Sequence, residues 1–419
     1  MRGAGRLPSL GARSRGPARD GAKPARRAVN PPFEFVLFGL TLLGIAVWHR
    51  HNLFIALSGL VAIALYKGLV LDQPVARELL HEWKLVLNLF GLLVGFAILA
   101  RHFEDSGIPD RLPAWLPDDW RGGFVLLFLV ALISTFLDNI AAAVLGGVVA
   151  RRLYDGRVGV AYLAAIVAAS NAGGAGSVIG DTTTTMMWLA GVPAAQVADA
   201  FIGAAVSLAF IAYWASRAQQ RLQPIRRDNA PGTHLDAREL EVMGVLVASR
   251  VVLAAGIVGG AVAGNVLVDF PALGAWAAIM AGRWFHPIPW GSARQSLQGA
   301  LFLLALVLAA SLMPVARLPE ASWHSALGLG FISAVFDNIP LTALALSQGG
   351  YDWGVLAFAV GVGGSMIWFG SSAGVALATH FPAAKNTLRW LREAWFVPVG
   401  FVLGFAALLA LTGWHPLRL

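Results

Sequence analysis

Hydrophobic residues run in long blocks along this chain, divided by short polar connectors, and the blocks fall into two sets that follow the same order. A helix needs about 20 apolar residues to cross a hydrocarbon core roughly 30 Å thick. In the first set, crossings are predicted near 33–48, 53–71 and 84–100. A polar connector, 101–121, holds Pro109, Pro113 and Pro117; apolar blocks follow at 122–150, 158–190 and 198–215. The second set reads 242–263, 266–282, 298–316, 323–348, 352–379 and 393–413. The chain thus divides into a basic disordered tail (1–32), a first membrane repeat (33–215), a cytoplasmic linker (216–241) and a second membrane repeat (242–413).

Polar residues inside the blocks are few, and they also repeat. Ser134-Thr135-Phe136-Leu137-Asp138-Asn139-Ile140 and Ser333-Ala334-Val335-Phe336-Asp337-Asn338-Ile339 each hold an Asp-Asn pair within an apolar run. A carboxylate at bilayer depth costs roughly 2.5–3.5 kcal/mol on the insertion scale, so two at equivalent points imply a use. The block 122–150 suits one tilted helix or two short helices folded back on themselves, and Asp138 at its centre favours the fold-back. A re-entrant hairpin places its tip at mid-membrane, with polar backbone facing only protein or a cavity. With both hairpins re-entrant, each repeat crosses about five times, and the odd number turns the second repeat upside down relative to the first. The predicted fold is an all-α polytopic membrane protein of two inverted repeats, each with a re-entrant hairpin and a broken helix.

Connector charge bears on orientation. Arg101, Arg111, Arg121, Arg151, Arg152, Arg157, Arg217, Arg221, Arg226, Arg227, Arg283, Arg294, Lys385, Arg389 and Arg392 all fall on one side of this count. Arg77, Lys84 and Arg317 fall on the other. The positive-inside rule makes the first side cytoplasmic. The same count puts the Arg-rich tail outside, against the rule, and the many connectors outweigh it.

Composition fixes the class: 57% of residues are hydrophobic, 13% are charged, and mean hydropathy is +0.68. This is the balance of an integral membrane protein. Eight of the 31 Lys and Arg lie in the first 27 residues, beside one acid, Asp20; elsewhere the 23 bases face 22 acids. The net charge therefore belongs to the tail, which is too polar to bury a core, and no nucleic acid partner is implied. The absence of cysteine excludes disulfides and thiolate metal sites. The histidines lie mostly in connectors without paired spacing, and no phosphate-binding lysine loop exists, which excludes ATP hydrolysis by this chain. Trp48, Trp83, Trp188, Trp214, Trp284, Trp323 and Trp395 sit near segment ends, as interfacial belts require.

A second repeated feature follows each hairpin. Ser170-Asn171-Ala172-Gly173-Gly174-Ala175-Gly176-Ser177-Val178-Ile179-Gly180-Asp181-Thr182-Thr183-Thr184-Thr185 is poor material for a continuous helix and is predicted to break near Gly173 to Gly180. Its counterpart, Gly361 to Gly374, aligns Gly363-Gly364 with Gly173-Gly174 and Gly370 with Gly180. Broken membrane helices present free carbonyls at one half-helix end and free amides at the other, so the gap can coordinate an ion. Asp138 and Asp337, desolvated, can each hold a proton or a small cation. Asp138, Asn139, Asp181, Asp337 and Asn338 are the candidate sodium ligands. Ser134, Asn171, Gly173, Gly174, Thr182, Thr183, Ser333, Gly363, Gly364, Ser371 and Ser372 complete an all-oxygen candidate site. Plainer roles stand beside each: Asp181 as a helix N-cap, the hydroxyls bonding helix carbonyls, and the paired aspartates held by Arg250.

The Asp-Asn tips, together with SNAGGAGSVIGDTTTTMMW and GVGGSMIWFGSSAGVA, resemble the NhaD-type sodium/proton antiporters, within the ion transporter superfamily of citrate carriers and arsenite permeases. The resemblance spans 33–413. It departs at Val178, where the pattern has Pro, and at Ala141-Ala142-Ala143, where hydroxyl residues are usual. It implies a homodimer in a bacterial-type inner membrane, with a scaffold part and a moving transport part, carrying small ions without a cofactor. The expected function is secondary exchange of sodium or lithium for protons. A sodium- or proton-coupled citrate or dicarboxylate carrier is the first alternative, and an intramembrane aspartyl protease, whose GxGD motif Val178-Ile179-Gly180-Asp181 lacks, is a remote one.

Overall fold

A computed structural model of the protein describes residues 32–48, 51–107, 116–225 and 237–418, with the side chains of 237–247 excepted. The basic tail, Pro109, Arg111, Pro113, Arg226 and Arg227 lie outside the described residues. Among the described residues every regular element is helical, and the helices follow the predicted blocks.

In the first set these are α1 (Phe33–Val47), α2 (Asn52–Leu65, continued by a π turn over Tyr66–Val70), a short α3 (Val75–His81) and α4 (Trp83–Glu104). The block 122–150 is two helices, α5 (Trp120–Ser134) and α6 (Asn139–Leu153). The next is also two, α7 (Val160–Ala175) and α8 (Thr182–Leu189), followed by α9 (Ala194–Ala198) and α10 (Ala200–Leu222). The second set repeats the order: α11 (Ala237–Val268), α12 (Pro271–Gly282), α13 (Trp290–Ser311), then α14 (Trp323–Ser333) with α15 (Asn338–Gln348), α16 (Trp353–Gly363) with α17 (Ser372–His380), and α18 (Thr387–Glu393) with α19 (Phe396–Thr412). The linker expected over 216–241 is helical at both ends, because α10 runs on to Leu222 and α11 begins at Ala237.

Among the described residues, five helices are long and apolar enough to cross a membrane, or six if α18 and α19, bent by 59°, count as one span. The polypeptide is an integral membrane protein. Trp48, Trp83, Trp284, Trp323 and Trp395 are exposed near helix ends, as a belt requires, whereas Trp214 is exposed about two turns inside α10. Trp188 instead packs against the α4–α12 layer.

Burial separates the helices into a core and two flanking layers. The core joins residues of α5–α10 to residues of α14–α19 through Leu126, Val130, Tyr162, Ile166, Phe358 and Phe401. One flank is built from α1, α2 and α13, the other from α11 and α12, and α4 contributes to both. Met186 of α8 and Ile339 of α15 reach the first flank, while Leu137 reaches the second. The breaks between core helices therefore sit where the core meets its flanks.

Close backbone approach makes glycine necessary at the core. A Cβ at Gly173 would lie 2.0 Å from the Ala131 carbonyl, and one at Gly363 would lie 2.2 Å from the Gly330 carbonyl. Residues 131 and 330 stand at equivalent points of α5 and α14, so both halves pack hairpin arm on broken helix in the same register. The arms α5 and α6 run side by side, with Gly146 against Val130 on either side of the Leu137 turn.

Candidate functional site

Four helix interruptions converge. The hairpin tips fall at 135–138 and 334–337, and the breaks between α7 and α8 and between α16 and α17 fall at 176–181 and 364–371. Gly173 and Gly174 are still helical, so the first break begins three residues later than predicted. Their role here is to admit the α5 backbone and the Gly180 carbonyl; Gly363 and Gly364 do the same beside Gly330 and Gly370.

Asp181 lies at the middle of a buried network. Its Oδ1 accepts from the backbone N–H and the hydroxyl of Thr183, both at 2.8 Å, which caps α8. Its Oδ2 accepts from Asn139 Nδ2 at 2.7 Å and Asn338 Nδ2 at 3.4 Å. The two asparagines come from opposite hairpin tips, so Asp181 does more than cap. Four donors and no acceptor suit an ionised carboxylate.

Asn171, fully buried on α7, carries the network into the second half. Its Oδ1 accepts from Asn139 at 3.1 Å, and its Nδ2 donates to Ser365 Oγ at 2.9 Å and Ser371 Oγ at 3.1 Å. Ser365 is a site residue that sequence reasoning missed. A buried serine one residue past the Gly363-Gly364 pair is the signal that could have found it. Ser371 caps α17 by accepting from Gly374 N–H, the part that Asp181 plays on α8.

The two mirrored aspartates differ from Asp181. Asp337 accepts from Ile339 N–H at 3.1 Å and from Ser372 Oγ at 2.7 Å, and it lines a cavity of about 270 Å³. Asp138 precedes α6 without a side-chain capping bond and is partly exposed. Asp138 feels the charges of Asp181 and Asp337, and Asp181 feels that of Asp337. No basic side chain among the described residues pairs with any of the three. Arg250, the candidate counter-ion, instead pairs with Asp105 at 3.0 Å. Nor do His, Asp and Glu gather among those residues into a group of three that could hold a metal.

Ser134 and Ser333 take the plainer role. Each donates to a broken-helix carbonyl, Ser134 to Ser170 at 2.6 Å and Ser333 to Val360 at 2.7 Å, again at equivalent positions. Thr182 is buried beside Asp181. The remaining threonines of the run knit the break together: Thr184 donates to the Ser177 carbonyl at 2.5 Å and Thr185 to that of Val178 at 2.9 Å.

An apolar helical shell around unpaired acids and interrupted helices defines a membrane transporter. The Citrate transporter family model matches residues 35–413, and the chain belongs to that family. It is similar to Sodium/proton antiporter 1 of Arabidopsis thaliana, 28% identical over 83% of this chain and 64% of the relative. It also resembles Na(+)/H(+) antiporter NhaD of Vibrio parahaemolyticus, 26% identical over 81% of this chain and 93% of the relative, and that of Vibrio cholerae, 27% over 82% and 80%. The chain thus spans less than two thirds of the Arabidopsis relative's length. Both the family and these relatives are transporters, not enzymes, which removes the protease alternative.

Proposed function

We propose that the protein is a secondary transporter exchanging sodium, or lithium, for protons, with Asp138 and Asp337 as the exchanging carboxylates and Asp181 as a fixed charge beside them. One observation carries this: three acids, with no basic partner among the described residues, stand at the junction of four helix interruptions. A carboxylate in such surroundings is neutralised by a proton or by a cation, and whichever binds displaces the other. Asp181 already receives four hydrogen bonds, whereas Asp337 has one rotatable partner, the Ser372 hydroxyl. That hydroxyl donates to the ionised acid and can turn to accept when the acid is protonated. The names of the antiporter relatives agree with this chemistry.

The same reading includes inverted repeats with re-entrant hairpins, a homodimer in the inner membrane, and relative motion of core and flanks. The matched packing of Gly173 on Ala131 and Gly363 on Gly330 supports the repeats. The separate apolar layers support the motion.

A carboxylate carrier is the second reading, favoured by the description of the matched family. Three fixed acids make a poor seat for a polyanion unless protons or cations neutralise them first. In proteoliposomes holding an imposed proton gradient, added sodium should collapse the gradient, and Asp337→Asn should abolish the response. A gradient that sodium leaves intact, together with sodium-dependent uptake of labelled citrate, would transfer the conclusion to the second reading.

A further inference from the structure

The two halves are alike in sequence order but unlike in access. On α17, Ser372, Val375, Ala376 and Thr379 follow the spacing i, i+3, i+4, i+7 and so share one helix face. On that face Ser372, Val375 and Ala376 are half-buried and Thr379 is exposed, while Ala373, Gly374, Leu377 and Ala378 on the other side are buried in the core. In α8, the counterpart, Thr182 to Met187 are all buried.

Two cavities lie along the open face. The outer one, about 570 Å³, is lined by Trp48, His51, Thr379 and Lys385 and reaches Val375. The inner one, about 270 Å³, is lined by Val375, Ala376, Gly299, Ser372 and Asp337 and, over most of its wall, by apolar side chains such as Leu42 and Phe302. Val375 lines both, so the two adjoin at that side chain. From Thr379 to Ser372 the helix rises about 10 Å. The inner walls come from α17 and the hairpin tip on one side and from α1 and α13 on the other, which places the route along the boundary between core and flank.

The side on which it opens is also fixed. Gly147 of α6 lies against Leu377 and Phe381, so the last turn of α6, with Arg151 and Arg152, shares an end with Lys385. Lys385, Arg389 and Arg392 follow in the same connector. This is the arginine-rich, cytoplasmic side.

We propose that this face of α17 is the wall of a one-sided water-filled path that brings a small cation from the cytoplasmic surface to Asp337, and that the sealed face of α8 is its closed mirror, serving the opposite surface. The route terminates in a carboxylate and a hydroxyl, acceptors suited to a hard cation, and the volume of its inner part, about 270 Å³, has room for several waters. Val375, common to both cavities, is the point where they adjoin. The cation's identity rests on the proposed exchange activity; the path itself does not.

The chain has no cysteine, so single cysteines report access directly. Gly299→Cys fits, because nothing lies within 4 Å of its Cβ position, and Ala376→Cys is a modest change. In sealed vesicles of known orientation, a charged, membrane-impermeant thiol reagent should label both at least about ten-fold faster from the cytoplasmic side, and sodium should slow the labelling of Ala376→Cys. Met186→Cys, at the mirror position on α8, should stay unlabelled from that side. One-sided labelling with no sodium-driven proton exchange would uphold the path and discard sodium as its cargo. Equal labelling from both sides, or none at either site in protein that still exchanges ions, would overturn the path. Because the two cysteines sit on different helices, misfolding of one variant leaves the other to decide.

Discussion

Asp181 separates capping from charge, and a single substitution can divide the two. Asp181→Ser installs the residue found at the mirror position, where Ser371 caps α17 through Gly374 N–H. Serine and aspartate are near-equal N-caps, so the cap on Thr183 N–H is retained at little cost. What disappears is the carboxylate Oδ2, with its bonds to Asn139 at 2.7 Å and Asn338 at 3.4 Å. The short bond to a charged acceptor contributes about 1.5–3 kcal/mol and the long one little, so the loss is about 2 kcal/mol. At 1.4 kcal/mol per decade this is about a 30-fold rise in the sodium concentration giving half-maximal exchange. Asp181→Ala loses the cap as well, about 1 kcal/mol more, and that part should appear as lower thermal stability. The assay is sodium-driven dissipation of a proton gradient in proteoliposomes, paired with thermal unfolding of the purified protein. If Asp181→Ser exchanged at wild-type sodium concentrations while only Asp181→Ala was impaired, capping would be the whole of Asp181's role and the charge argument would fail.

Other outcomes follow from the same geometry. Ser365→Ala removes one of the two hydroxyls held by Asn171 Nδ2 and leaves the other, a loss of about 1 kcal/mol, expected as a roughly five-fold shift in half-maximal sodium with little change in maximal rate. Gly173→Ala puts a Cβ 2.0 Å from the Ala131 carbonyl and should destabilise the fold by about 2 kcal/mol or more, read as lost monodispersity or a lower unfolding temperature, whereas Gly256→Ala, with open space at its Cβ, should be neutral or better. Arg250→Ala breaks a partly exposed pair with Asp105 and should cost no more than about 1 kcal/mol, leaving exchange unchanged; a large fall in exchange would mean that Arg250 serves the buried acids after all.

Much of this was legible because the bilayer makes polar residues expensive. Asp138-Asn139 and Asp337-Asn338 stand out in apolar runs, and both do fall at helix interruptions. The glycine pairs were read as breaks, whereas Gly173 and Gly174 serve packing, which only the structure shows by bringing the α5 and α14 backbones onto the pairs. Gly173 and Gly174 could therefore remain helical, contrary to their propensity. The reach of Asn171 to Ser365 and Ser371 spans about half the chain and leaves no local pattern. Least legible was the unequal access of the two halves. Ser372 to Thr379 and Thr182 to Leu189 occupy corresponding places, and both are apolar enough to be buried or to line a cavity. Which one opens depends on where α1 and α13 stand against the core, a relation between distant layers rather than a property of either stretch. On the proposed reading of the chain as two repeats, such a difference is where function is to be sought: two equivalent routes would then exist, and transport requires that only one be open at a time.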